Sequence, residues 1–135
     1  MKKNVTKLLC LLFVVVLVLS VVGCTKHVVI DGDYVVITVD ADKVEQNSNL
    51  KAYMDYLVQE GQLEYEISDG MIVSIDGKTG GTNQYWMLYT SDTANANDTW
   101  GTCEYDGRTY GSATLGAEEL VVKDGCVYIW YLQTF

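Results

Sequence analysis

Three kinds of hydrophobic pattern follow one another along the chain. From Leu8 to Val22 the residues are apolar without a break except at Ser20. That run is shorter than the roughly 20 residues a membrane-spanning helix needs. Tyr34-Val-Val-Ile-Thr-Val39 is dense in β-branched residues and predicts a strand. The period then changes: Leu50, Tyr53, Met54, Leu57 and Val58 recur at intervals of three and four. This spacing puts them on one face of a helix, with Ser48 or Asn49 as the N-cap and Gly61 as the stop. An amphipathic helix of about three turns, laid on a sheet, follows.

Beyond Gly61 the pattern is β-like to the end. Leu63–Ile67 and Met71–Ile75 predict short strands around the turn Ser68-Asp69-Gly70, and Asp76–Asn83 is a glycine-rich loop. Gln84–Thr90 is the strongest strand signal, with Trp86 and Leu88 on one face and Tyr85, Met87 and Tyr89 on the other. Bulk on both faces predicts a central strand covered on both sides. Ser91–Gly101 is polar and irregular. Thr102–Tyr105 and Arg108–Ser112 predict a hairpin about Asp106-Gly107, the strongest short-range turn signal in the chain. Leu120–Lys123 and Cys126–Leu132 predict a closing hairpin about Asp124-Gly125. A strand, a helix and then several short strands make an α+β fold, one amphipathic helix packed on mostly antiparallel strands.

The apolar run takes on meaning from its flanks. Lys2, Lys3 and Lys7 precede it and Val21-Val22-Gly23-Cys24 closes it. A basic start, a short apolar core and a small-residue exit are the parts of a secretory leader. The order aliphatic, tolerant, small, Cys resembles the bacterial lipobox, in which the thiol carries a diacylglycerol. Residues 1–23 are therefore expected to be a signal peptide, with Cys24 lipidated, residues 24–33 a short tether and 34–135 the folded domain. The plainer alternative is an ordinary cleaved leader with Cys24 at its edge by coincidence. Lipidation places the protein on the outer face of a bacterial membrane, because two or more acyl chains hold firmly where one does not.

Losing the three leader lysines takes the net charge from −9 to −12. Such an acidic chain is a poor nucleic-acid binder, since phosphate contacts need clustered Lys and Arg. It is also repelled by anionic lipid, so membrane attachment falls to the acyl chains. Of the four cysteines, Cys10 leaves with the leader and Cys24 carries the lipid, leaving Cys103 and Cys126. In an oxidising compartment the pair is expected to form a disulfide, worth about 3 kcal/mol on the chain-entropy model. The alternative is two buried thiols. A catalytic thiol is disfavoured because His27, the only histidine, lies in the tether.

Motifs for catalysis do not assemble. Gly77-Lys78-Thr79 suggests a phosphate loop, but the required upstream glycine is replaced by Ile72. One histidine cannot build a zinc site of the His-based kind. Asp31, Asp33, Asp40 and Asp42 form two acid-x-acid pairs with oxygen-rich spacing, without the twelve-residue calcium-loop signature. The expectation is a non-enzyme without a resident metal. Aromatic content points elsewhere: ten Tyr and three Trp exceed what a small core absorbs, and these residues suit flat ligand or partner surfaces. Trp86 and Trp130 fit the core, with Trp86 also a ligand-contact candidate. Trp100 and Tyr110 lie in polar surroundings and are candidate exposed contacts.

From Val36 to Phe135 the order of elements resembles a known family. A strand leads to Asn49–Leu57, then to Gly70-Met-Ile-Val-Ser-Ile-Asp-Gly77, then Tyr85-Trp-Met-Leu-Tyr89, and an Asp-Gly step precedes Tyr128-Ile-Trp130. This resembles the bacterial transcobalamin-like C-terminal domain, named for the small domain of the vitamin B12 carriers transcobalamin and intrinsic factor. Ser-Ile-Asp-Gly leading into Tyr-Trp-Met is its most specific part. The resemblance implies a compact α+β domain offering one wall of a corrinoid site, with cobalamin as the ligand. In the animal carriers a large helical domain supplies the other wall, and this chain has none, so it offers half a site. It also departs after the aromatic strand, where the family's Asn-Gly turn is replaced by Thr90-Ser91-Asp92 and a longer insertion. The function expected is thus a lipid-anchored extracytoplasmic binding module. The alternatives are a cell-surface interaction or scaffold module and a divalent-metal domain using the acidic loops.

Overall fold

The computed structural model describes residues 27–135. The leader 1–23, Cys24 and the next two residues lie outside the described region. Nine strands and one α-helix are described: β1 Val28–Asp31, β2 Tyr34–Thr38, α1 Leu50–Gln59, β3 Tyr65–Ser68, β4 Met71–Ile75, β5 Lys78–Thr79, β6 Gln84–Thr90, β7 Ala96–Tyr105, β8 Arg108–Ala113 and β9 Val127–Thr134. All strand pairs are antiparallel. Six form a sheet in the order β1-β2-β9-β6-β8-β7, and β3-β4-β5 form a smaller one. The α+β expectation holds at this level.

Helix α1 forms where the period changes. Asn49 Oδ1 accepts from the Ala52 amide at 2.8 Å, which caps the first turn, and Gly61 ends the helix at φ 70°. Leu50, Tyr53, Met54 and Leu57 on its inner face are fully buried. They meet Val35, Ile37, Leu88, Tyr128, Trp130 and Leu132 from one face of the six-stranded sheet, together with Ile72 and Ile75 of β4. Burying one such aliphatic side chain contributes about 1.5–3 kcal/mol relative to exposure. This face holds the main core.

The opposite face is built from tyrosines. Tyr34, Val36, Met87, Tyr89, Ile129 and Tyr131 stand there, and Cys103, Tyr105 and Tyr110 from the β7–β8 hairpin pack onto them. Strand β8 pairs with β6 only at Tyr89↔Ser112 and Thr90↔Gly111. Past that point the hairpin leaves the sheet plane and folds across the face. Its tip reaches the far edge, where Tyr105 Oη donates to Asp31 of β1 at 3.2 Å. Rings meet there: Tyr34 stacks on Tyr131, 4.5 Å away at 7°, and lies 5.4 Å from Tyr105 at 46°. The central, doubly covered position predicted for Gln84–Thr90 is therefore realised by two unlike layers.

Three Asp-Gly pairs punctuate the strands. Asp69-Gly70, Asp76-Gly77 and Asp106-Gly107 each place both residues at positive φ, between 48° and 77°. That is the requirement of the type I′ turn, whose twist matches the strands it joins.

Four expectations are corrected. The tether assigned to 24–33 is partly strand: β1 pairs with β2 from Val28↔Ile37 to Asp31↔Tyr34, so the domain begins before Tyr34. Asp76–Asn83 is a tight hairpin followed by a short loop, because Asp76-Gly77 closes β4 on β5. The polar stretch Ser91–Gly101 is irregular only as far as a 3-10 turn at Thr93–Asn95; from Ala96 it belongs to β7, which carries a register shift between Asn97 and Thr102. Leu120–Lys123 makes no hairpin with Cys126–Leu132; Val121 instead bridges Asn49.

The disulfide expectation is also overturned. Cys103 and Cys126 are both free thiols. Cys103 packs with Tyr89, Tyr110 and Ile129 on the tyrosine face, whereas Cys126 packs against the helix-covered core on the other. The sheet stands between them, while a disulfide requires Cα atoms roughly 4.4–6.8 Å apart. Burial pushes the Cys103 thiol up to about 11, which leaves it unreactive at neutral pH.

Candidate functional site

The two sheets meet beside a cleft of about 430 Å³ lined by Ser68, Asp69, Met71, Ile72, Val73, Thr79, Gly80, Gly81, Gln84, Tyr85 and Trp86. Strand β4 supplies one wall. The Asp69-Gly70 turn starts it, and alternation sends Ile72 into the core while Met71 and Val73 face out. Met71 is 60% exposed and Tyr85, on the opposing wall, 51%. The Tyr85 ring lies 6.0 Å from Phe135, itself exposed, so apolar surface continues past the rim.

Trp86 is fixed rather than free. Its indole Nε1 donates to the Lys78 carbonyl at 3.0 Å, and Lys78 Nζ in turn reaches Gly32 O at 2.9 Å and Asp33 at 3.0 Å. This chain ties β5, β6 and the β1–β2 turn into one rigid base for the cleft. Gly80 closes the loop over it, since a Cβ there would collide with the Gln84 carbonyl oxygen. Among the lining residues the ionisable groups are Asp69 and Tyr85, so the walls hold no cation. The cleft is suited to contact with an apolar, uncharged or cationic surface through rings, methionine and amide groups.

Of the three aromatic contacts expected, the structure brings one to this cleft. Trp86 lines it while also anchoring the core. Trp100 is 65% exposed, but it stands in the shifted segment of β7 on the sheet's opposite edge. Tyr110 is buried in the tyrosine layer, a correction caused by the hairpin folding over the sheet. Its polar sequence neighbours are the outward residues of a strand whose inward face is covered. Met71, Val73 and Tyr85 were missed as contacts. The available signal was alternation: Met71 and Val73 share parity opposite to Ile72, and Tyr85 opposes Trp86.

Three of the four acids around the first strand are engaged. Asp31 accepts from Tyr105, Asp33 pairs with Lys78, and Asp40 accepts from the Asp42 amide at 3.1 Å. Among the described residues no group of three or more His, Cys, Asp or Glu converges as a metal site would require. Elsewhere Asp55 joins α1 to β3, taking hydrogen bonds from Lys51 and from the Tyr65 hydroxyl. Burial and the Asp55 carboxylate push Tyr65 up to about 12. That cluster is a structural staple. Asp92 is another: its side chain accepts from Lys123 at 2.8 Å, Asn95 at 2.8 Å and the Ala94 amide at 3.2 Å.

Compared with family models, with curated proteins and with solved structures, the chain finds no match.

Proposed function

We propose that this chain is a non-enzymatic ligand-binding module of the bacterial cell surface, exported by residues 1–23 and held to the membrane through lipidated Cys24. Its ligand would sit in the β4–β6 cleft. The observation that carries the reading is the pairing of exposed Met71, Val73 and Tyr85 with a rigid base set by the Trp86–Lys78–Asp33 linkage. Monomeric proteins rarely leave contiguous apolar surface beside a formed concavity without a use for it. The resemblance to the transcobalamin-like domain supplies cobalamin, or another corrinoid, as the ligand to test. The open side of the cleft fits a domain that provides one wall.

The test is calorimetric titration of cobalamin into the leaderless Cys24→Ser chain. Saturable heat that disappears in Met71→Glu supports the reading. No heat and no thermal stabilisation defeat the corrinoid assignment. A second reading, a docking module for surface proteins, draws on Trp100 projecting from edge strand β7. Cross-linking that depends on Trp100, and not on Met71, would favour it. Divalent metal binding, the third reading, has the least support, because three of the acids it would use are already engaged; stabilisation by Ca²⁺ alone would favour it.

A further inference from the structure

The strand register separates the anchor from the cleft. Strand β1 starts at Val28, only four residues after Cys24. Fully extended, four residues reach at most about 14 Å. The His27 carbonyl accepts from the Thr38 amide at 2.9 Å, and Thr38 pairs with Val127. Val28, Thr38, Val127 and Thr90 thus mark one end of the six-stranded sheet. The opposite end holds the β1–β2 turn at Gly32-Asp33, the Lys78 contact to that turn, Gln84 paired with Thr134, and Phe135 bonded to Asn83. The cleft lies at this second end, on Gln84, Tyr85 and Gly80-Gly81. Between the two ends runs β9, eight residues long. At ~3.4 Å per residue that is roughly 24 Å.

Charge opposes any arrangement that lays the domain flat. Four of the nine Lys and Arg (Lys2, Lys3, Lys7 and Lys26) precede the described residues, whereas all eighteen acids lie within them. Lys51, Lys78 and Lys123 are already paired with Asp55, Asp33 and Asp92. An anionic leaflet repels flanks of that composition within a Debye length.

Resting on the reading of Cys24 as the lipid anchor, we infer that the domain stands on the Val28 end of its sheet and holds the cleft at the membrane-distal end, so that its ligand is water-borne and uncharged or cationic. A lipid-embedded ligand would have to climb the length of the sheet. The short linker and the sheet length act together, since a long linker would let the cleft turn toward the bilayer.

The experiment uses the lipidated protein in vesicles of phosphatidylcholine and phosphatidylglycerol that carry an acceptor dye on the headgroups. A donor is attached at Lys43→Cys, beside the anchor end, or at Phe135→Cys, at the cleft end, each in a Cys126→Ser background. The expected result is strong loss of donor emission at position 43 and little at 135, with the contrast persisting when salt is raised. Equal transfer, or stronger transfer at 135, in protein whose mass includes the acyl chains overturns the orientation. Protein lacking the acyl mass overturns the anchor reading, and the orientation with it.

Discussion

The two faces of the six-stranded sheet use the same strands to opposite ends. One face, under α1, is closely covered, with Leu50, Tyr53, Met54 and Leu57 fully buried against Val35, Ile37 and Leu88. The other is a layer of tyrosines covered by a folded hairpin, with Tyr34, Tyr105 and Tyr131 only half-buried, Tyr34 stacked on Tyr131 and tilted against Tyr105. The first draws its stability from area removed from water. The second combines ring contact with hydroxyls left at the surface, which suits a thin cover open to solvent at its margins. A helix brings a wide apolar stripe to a sheet, whereas a two-stranded hairpin brings a narrow one, and long amphipathic side chains fill the difference.

The comparison can be broken most forcefully under the helix. Leu57→Ala should cost about 3 kcal/mol through transfer and cavity terms. For a domain of this size that is a fall of roughly 15 °C in calorimetric Tm. A loss as small as that of a tyrosine-face substitution would erase the distinction between the faces.

Asp92 tests the seam between them, because it holds Lys123, on the connection leading into β9, to the turn that enters β7. Burial pushes its carboxyl up, but hydrogen bonds from Lys123, Asn95 and the Ala94 amide outweigh burial and hold it below the usual carboxylate range. A carboxyl depressed in the folded state contributes stability above its unfolded value of about 3.9 and loses it as pH falls through the folded value. Asp92→Asn should therefore be less stable than the parent by about 2 kcal/mol at neutral pH. Denaturant titrations should show that gap closing below about pH 4.

Smaller effects sharpen the picture on the tyrosine side. Tyr131→Leu keeps apolar bulk but removes the stack on Tyr34, and should cost about 1 kcal/mol. A double-mutant cycle with Tyr34→Leu should return a coupling of similar size. Additive losses would mean that the rings contribute area alone. The smallest expected effect is that of a reductant: with free Cys103 and Cys126 on opposite faces, dithiothreitol should leave Tm unchanged. A bridge between them would instead show a loss of about 3 kcal/mol.

Short-range physics made much of the fold legible. The Asn49 cap, the three-four spacing of α1, the turn chemistry of Asp69-Gly70 and Asp106-Gly107, and the parity of Gln84–Thr90 are all local properties of neighbouring residues. Each reappears at or near the predicted boundary. Parity also separated Tyr89 from Leu88 before any partner strand was known. The cleft was partly legible: Trp86 was among the candidate contacts, while Met71, Val73 and Tyr85 needed knowledge of which strand lay beside which.

The misreadings share one cause. Cys103 and Cys126 sit in similar strand-like contexts, yet which face each occupies depends on the β7–β8 hairpin leaving the sheet on the tip side of Gly111. The same fold-over buries Tyr110 among residues far away in the chain. Val28–Asp31 carries too little pattern to announce itself, and becomes a strand only because β2 offers it an edge. Helix α1, strand β6, the Asp69-Gly70 and Asp106-Gly107 turns and side-chain parity were thus determined by the sequence alone, since they depend on backbone sterics and on neighbours within a few residues. Strand order, the burial of Tyr110, the separation of the cysteines and the placing of the cleft at the end of the sheet away from Val28 were decided by tertiary structure. They depend on pairings between residues tens of positions apart, which no local pattern encodes.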